Sequence, residues 1–494
     1  MSELEVLSAK NHKKTTAPVR IMQFGEGNFL RGFIDWMVQK ADDKGLMNAH
    51  VVLVQPLPMG RIDALKQQDY LYTVILQGLN EEKKAVKTHE VIDVIDDAVN
   101  PYTDWAKFLA YGESADLNVI VSNTTEAGIA FDPADLSNDL LNKAVASYPG
   151  KLYALLYKRY LALGEKGEIA IMPCELIDDN GDKLRDVLLK IAEGRNEEKK
   201  EGFIEFLKKS CHFTSSLVDR ITPGFPRDEF SKLCEDYGYV DNNMVKAEYF
   251  NLLVYRKESF CEKVFPLDKI GDPVHCIYVD DVHPYKQRKV RILNGSHTSL
   301  VPVAYLSGHN EVRESLLDPV IEKFLKEEQA EEIVPTVHVK DVEKFAHDVF
   351  DRFMNPYVHH ALMSIALNSI PKFKERDLPT LLDSYKVNGK LPKRLVFSLA
   401  SLIKFYDGKR VVNGKEEEIK LQDNPDYIAF MKAAWDAYRA DKDVHALAHK
   451  VLSKTEFWGQ DLSKVEGLEE LVAKDLALIE SVPTFEDAVK EINR

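Results

Sequence analysis

The sequence predicts an α/β amino-terminal domain built on a parallel sheet, followed by a mainly α-helical carboxy-terminal domain. Three observations carry this. Short apolar runs alternate with helical patterns through the first half, a glycine pair follows the first run directly, and strand signals thin out beyond about residue 285. At 494 residues the chain is long for one core, so two domains are expected, residues 1–285 and 286–494.

Taken in order, the first dozen or so residues read as a polar lead-in without the apolar segment of a secretory signal. Val19–Phe24 (VRIMQF) reads as a buried strand, and from Asn28 the apolar residues Phe29, Phe33, Trp36 and Met37 recur at helical spacing. This is strand, glycine turn, helix. Further strands are expected at Val51–Val54, at Leu117–Val121 (ending in Ser122-Asn123-Thr124-Thr125) and at Glu168–Met172 (ending in Pro173-Cys174), with helices between them. In the second half Val342–Met354, Tyr357–Leu367, Lys393–Phe405, Tyr427–Ala440 and Val465–Glu480 read as amphipathic helices. The runs Glu81–Lys84 and Glu197–Lys200 read as solvated surface.

The bulk numbers narrow the function classes. A net charge of -15 argues against a general nucleic-acid or acidic-membrane binder, while an anionic small molecule would need local Lys or Arg to reverse the field. The five cysteines, Cys174, Cys211, Cys234, Cys261 and Cys276, are widely spaced and form no C-x-x-C pair, which fits a reducing compartment and no zinc knuckle. No stretch is apolar and long enough to span a bilayer, and the expected location is the cytoplasm.

Two constellations carry chemistry. In Phe24-Gly25-Glu26-Gly27-Asn28-Phe29-Leu30-Arg31-Gly32 the glycines let the backbone turn tightly and approach a pyrophosphate, and the helix start offers free N–H groups. Leu30 stands where the third glycine of G-x-G-x-x-G would be, and the same residues would also serve as a plain strand-to-helix turn. The acid that often ends the second strand and binds the adenosine ribose is replaced by Gln55, with Arg61 close by in sequence, so the usual bar to a 2'-phosphate is missing. The second constellation is Lys289, Asn294 and His297. On a helix Lys289 and His297 lie about two turns apart and Asn294 and His297 one turn apart, so the three can converge. Lysine can move a proton, Asn can donate to a developing alkoxide and His can orient a hydroxyl. A basic surface helix with an ordinary core histidine is the competing reading.

Together these segments resemble the polyol-specific long-chain dehydrogenases, the mannitol dehydrogenase family. The resemblance rests on Gly25-x-Gly27-x-Phe29-x-Arg31-Gly32, Val218-Asp219-Arg220-Ile221-Thr222-Pro223, Lys289-x-x-x-x-Asn294-x-x-His297 and Arg352-Phe353-x-Asn355-Pro356, and it covers most of the chain. It implies a Rossmann-like amino-terminal domain, a helical carboxy-terminal domain, NAD as cofactor and no catalytic metal. It implies that Phe24, Gly25, Glu26, Gly27, Asn28, Phe29, Arg31, Gln55, Asn123 and Thr124 serve the cofactor. Lys289 is the implied general acid/base, with Asn294 and His297 on the reacting oxygen. Asp219 is expected to shape the domain junction or contact substrate, with a structural pair to Arg220 as the competing reading. The segments Val121–Ile129, Pro173–Ile177 and Leu293–Thr298 point to the family's sugar-acid branch, which implies altronate or tagaturonate as the small-molecule substrate. Two departures set the chain apart from the mannitol enzymes: Leu176 stands where they carry an Asn donor, and Met363 stands roughly where they carry an Arg. A hexuronate needs a cation for its carboxylate, for which Lys372 is expected first and Arg376 second. Mannonate/fructuronate or a hexitol are the alternative substrates, and a nucleotide-binding sensor without catalysis is the alternative class.

Overall fold

The computed structural model describes residues 4–80, 82–125 and 127–494; Glu81, Glu126 and the first three residues, which fall within segments read above, lie outside the described residues. Val19–Phe24 forms strand β1, and Ile21 to Phe24 are buried. Burial on both faces is what a central parallel strand with helices on either side requires. The remaining strands of the first half are β2 (His50–Val54), β3 (Tyr72–Leu79), β4 (Ala85–Ile92), β5 (Ile95–Val99), β6 (Val119–Ser122), β7 (Ile169–Pro173), β8 (Cys211–Phe213), β9 (Ser216–Asp219), β10 (Val245–Glu248), β11 (Leu252–Arg256) and β12 (Cys276–Val279).

Six of them form a parallel sheet in the order β5-β2-β1-β6-β7-β8. Counted within this sheet, the order is the 3-2-1-4-5-6 of a dinucleotide-binding fold, with the strand order reversing between β1 and β6. The alternation of side chains divides the core. Ile21, Val51, Leu53, Val119 and Val121 belong to one apolar cluster, and Met22, Phe24, Val52, Val54 and Ile120 to another. Two small sheets, β10-β3-β4 and β12-β11-β9, complete this half.

The helix after the glycine turn differs from expectation. It runs only over Asn28–Arg31 and resumes at Ile34–Asp43, with Gly32 and Phe33 outside helical geometry. The break falls where the chain meets β10: a Cβ on Gly32 would sit 2.9 Å from Val245 Cγ1 and 3.1 Å from Asn28 O. Tertiary packing overrides the helical spacing of Phe29, Phe33 and Met37.

The second half is helical, as read. Lys393–Phe405 is buried on nearly every side, and helices at Val342–Phe353, Pro425–Asp441 and Leu468–Ser481 match the amphipathic segments to within a few residues. Two details differ. Of Tyr357–Leu367 only Leu362–Ile365 is helical. The hairpin of β13 (Lys409–Val412) and β14 (Lys415–Glu418) went unread, although Asn413-Gly414, both at positive φ, is the turn such a hairpin prefers. The chain divides into two compact units, Met1–Asn80 with Val86–Val282, and His283–Arg494 with Glu81–Ala85. Among the described residues no helix is long and apolar enough to cross a membrane.

Candidate active site

In the first unit, the loops after β1, β2 and β6 leave the same edge of the sheet because the strands are parallel. Gly25 takes φ +126°, open to glycine and costly for other residues, and its N–H donates to Val54 O at 3.0 Å. Asn123 N–H donates to Phe24 O at 3.1 Å, closing the turn from the other side. Gly27 is exposed, and a Cβ there would meet nothing within 4 Å, so open space lies over the N–H groups that begin Asn28–Arg31. This is the room a pyrophosphate needs to reach main chain, and the turn fits that group. A single helical turn sums little dipole, so the N–H groups themselves matter more than the helix field.

The other residues expected here divide into lining and scaffold. The Phe24 ring is fully buried against Phe108 and Tyr148, with centroids 5.9 and 4.9 Å away, and anchors the strand end. Arg31 is buried too. Its guanidinium donates to Glu26 O at 2.9 Å, Asn243 O at 2.7 Å and Asn28 Oδ1 at 3.0 Å, which holds the turn in shape. The partly exposed Phe29 ring packs on Phe33. Gln55 Nε2 donates to Leu57 O at 2.9 Å and Pro58 O at 3.2 Å, and Glu26 Oε1 accepts from the Arg61 N–H at 3.2 Å. Asn123 Nδ2 donates to Cys174 O at 3.3 Å, while the Thr124 N–H and hydroxyl both donate to Glu175 Oε1 at 2.9 Å.

Sequence reasoning missed the part Glu175 plays. Its carboxylate also accepts from Ser122 Oγ at 3.1 Å, tying the end of β7 to the loop after β6, and burial pushes its pKa up. Leu176 beside it is 58% exposed and offers no polar group. The signal was an acid set directly after an apolar strand. Asp219 ends β9 opposite Leu252 and is buried. Arg220 donates to Gly32 O and Glu248 O, both at 2.9 Å, and lies 4.2 Å over the Trp36 ring.

In the second unit, Lys289–Gly295 is a π-helical stretch joining the α-helices His283–Arg288 and Ser296–Leu306. This widening matters for the site. In an α-helix residues five apart point about 140° away from each other, whereas the i→i+5 closure of a π-turn sets them one above the other. Asn294 follows Lys289 by five, and His297 follows Asn294 by one α-turn, so the three share a side of the helix. π-Bulges of this kind are frequent at functional sites.

The His297 ring stacks on Phe353 at 4.0 Å and meets His360 edge to face at 5.0 Å. Burial, then the nearby His360, Arg352 and Arg376, holds its pKa well below the usual imidazole range, so the ring is neutral at physiological pH. Lys286, one turn before Lys289, has its pKa lowered by burial and by the Lys289 charge. Arg376 Nη1 donates to Thr298 Oγ1 at 3.1 Å, and Thr298 Oγ1 donates to Asn294 O at 2.9 Å, so this arginine is linked to the π-turn. The Lys372 ammonium donates instead to Ile365 O at 2.8 Å. Arg352, His360 and Thr298 were not singled out in the sequence; the pair Arg352-Phe353 was quoted only as part of a family segment. Among the described residues no cluster of His, Cys, Asp or Glu is placed to hold a metal ion.

Comparison with known proteins follows this division. Residues 19–269 match the mannitol dehydrogenase Rossmann domain and residues 281–480 the mannitol dehydrogenase C-terminal domain. An altronate oxidoreductase of Escherichia coli is 41% identical over 483 residues, covering 96% of this chain and 97% of the relative. One of Phocaeicola vulgatus is 41% identical over 481 residues, covering 97% and 98%. Among solved structures, a D-sorbitol dehydrogenase superposes with a TM-score of 0.79 at 20% identity, covering 99% of this chain and 100% of that one. The Pseudomonas fluorescens mannitol 2-dehydrogenase, solved with NAD and D-mannitol, superposes with a TM-score of 0.65 at 20% identity, covering 100% and 96%. The parallel sheet with its glycine turn, the π-turn with its lysine and both halves of the sequence lead to one conclusion: the chain belongs to the mannitol dehydrogenase family.

Proposed function

We propose that this chain is an NAD-dependent oxidoreductase that interconverts D-altronate and D-tagaturonate. The observation that carries the reading is the π-turn set, Lys289, Asn294 and His297, with the cations Arg352 and Arg376 near the His297 ring. A proton-transfer group, an amide donor and a neutral imidazole are what an alcohol–ketone exchange needs, and the cations suit a substrate that carries a carboxylate. The altronate oxidoreductases at 41% identity support the same substrate pair.

In this reading the glycine turn receives the pyrophosphate over Gly27, with Gln55, Asn123 and Thr124 around the dinucleotide. A dinucleotide held there would supply, at its nicotinamide, the acceptor for the hydride of the carbinol carbon. Lys289 Nζ takes the proton from the substrate hydroxyl in oxidation and returns it to the same oxygen in reduction. The Asn294 amide donates to that oxygen as negative charge develops, which lowers the barrier only if the donor is already in place. The reading asks the π-turn to hold that amide in place. His297 orients the hydroxyl, and because burial and the neighbouring cations oppose a positive charge on its ring it is a weak base and leaves the proton to Lys289. Asp219 is the substrate contact proposed from the first unit. For the carboxylate, Arg376 takes precedence over Lys372, because it is linked to the π-turn whereas the Lys372 ammonium is turned to a main-chain carbonyl. A guanidinium also suits bidentate contact.

The test is a panel of tagaturonate, fructuronate and a neutral ketohexose, each assayed with NADH. The expected result is the highest kcat/KM on tagaturonate. A preference for fructuronate or for the neutral sugar would reassign the substrate, and nucleotide binding without turnover on any of them would make the protein a sensor.

A further inference from the structure

The strand that should carry the ribose-binding acid ends in Gln55, and yet the structure puts a carboxylate at that spot from another direction. Glu26 lies inside the glycine turn, and its Oε1 accepts from the Arg61 N–H in the loop that follows β2. Gly60 shows how close the two side chains come. A Cβ on Gly60 would sit 2.3 Å from Glu26 Oε1 and 2.4 Å from Gln55 Oε1, so both oxygens meet beneath the same glycine at the carboxyl end of β2. Gln55 is turned so that its amide nitrogen is used by Leu57 O and Pro58 O, which leaves its oxygen as the neighbour of Glu26. Glu26 is 8% exposed, and its second oxygen accepts from no other residue among those described. Two acceptor oxygens, one of them charged, suit the hydroxyls of a ribose, which donate, and oppose a phosphate, which does not.

We propose that Glu26 is the residue that makes the site select NAD(H) over NADP(H), in place of the missing acid at the end of β2. The inference rests on the dinucleotide reading above and adds the group that discriminates. The opposing feature is Arg61, an exposed cation in the same loop. The carboxylate prevails because it is already held by its backbone partner, whereas the exposed guanidinium is screened and must be ordered before it can bind. Arg31, the other nearby cation, has its guanidinium engaged by two main-chain carbonyls and the Asn28 side chain.

The test separates binding from turnover. Equilibrium binding of 5'-ADP and 2',5'-ADP is measured by calorimetry on the wild-type protein and on Glu26→Gln, which keeps an acceptor for Arg61 and removes the charge. The wild type is expected to bind 5'-ADP at least about tenfold more tightly. Glu26→Gln is expected to narrow that ratio by about tenfold or more, through a gain in 2',5'-ADP affinity together with a few-fold loss in 5'-ADP affinity. The NADPH:NADH ratio of kcat/KM should rise in parallel. An unchanged ratio in folded Glu26→Gln, or a wild type that prefers 2',5'-ADP, overturns the proposal. If Glu26→Gln does not fold, Glu26→Asp, which draws the charge back, must narrow the binding ratio, and an unmoved ratio there also overturns it. Failure of the wild type to turn over tagaturonate with either dinucleotide would refute the proposed reaction and leave the ADP ratio standing.

Discussion

In the proposed reading Lys289 moves the proton and His297 does not, because the surroundings of His297 oppose a charge on its ring. His297 is ringed by Phe353, His360 and two arginines, and a positive charge there is opposed. Its folded pKa lies below the unfolded one, so the unfolded chain takes up a proton that the folded chain refuses. Stability from this group is present above the ordinary imidazole value and is lost as pH falls through it. If Lys289 alone handles the hydroxyl proton, Lys289→Ala should lower kcat by roughly a hundredfold or more, with NADH affinity measured by fluorescence titration little changed. Near-normal turnover in the folded variant would remove the mechanism. Arg376→Met should cost about ten- to a hundredfold in kcat/KM on tagaturonate, the range of a charge-assisted hydrogen bond, and much less on a neutral ketohexose. Equal losses on both would make Arg376 a support of the π-turn through Thr298 and no more.

The π-turn stands on an unusual foundation. Beneath Ser296–Leu306, Glu328 is fully buried and accepts from Ser299 Oγ at 2.7 Å and Ser398 Oγ at 3.3 Å, joining that helix to Lys393–Phe405. Burial pushes its pKa up to about 8. Asp377, whose Oδ1 lies 2.8 Å from where a Cβ on Gly295 would be, is raised as well, by burial and by Glu328. A raised carboxyl reverses the usual sign: the folded chain keeps its proton while the unfolded chain releases it near the ordinary value, so stability declines as pH rises from there to about 8. Thermal unfolding of the wild type should therefore shift to lower temperature between about pH 5 and 8. Glu328→Gln should flatten that decline by up to about 1.4 kcal/mol for each pH unit within the window. Asp35, Glu332 and Asp475, each pushed up to about 7, leave a residual slope. An identical slope in the variant would show that Glu328 is not protonated in the fold. Elements were legible where burial and periodicity agree: β1 and Lys393–Phe405 run between the residues read from the sequence. The π-turn was not legible, because its apolar residues fit an α-period locally, and residues packed near it, such as Asp377 and Arg376, lie some eighty positions away.

The whole chain carries a net charge of -15, and the proposed substrate is an anion. In the proposed reading attraction must therefore be local, from cations such as Arg376, against an overall field of the wrong sign. Salt screens exposed charges beyond about 10 Å at 0.1 M and spares contact pairs to a greater degree. Raising ionic strength should thus change KM for tagaturonate only modestly, by a few-fold, and leave KM for a neutral ketohexose unchanged. A change of tenfold or more on the acid would mean that distant charges steer it.

Composition and pattern were enough to establish the parallel-sheet half, the helical half, the glycine turn and the Lys-Asn-His spacing, because each depends on residues near one another in sequence and on burial that periodicity reports. Three-dimensional packing settled what spacing left open. The helix after the turn breaks at Gly32, because β10 comes within 2.9 Å of its Cβ position. The side chains of Phe24 and Arg31 are held by core aromatics and main-chain carbonyls distant in sequence, which spacing could not report. Glu26 comes close to Gln55 because β1 and β2 lie side by side in the sheet, and Asn294 falls on the same side of the helix as Lys289 because the helix opens by one residue between them.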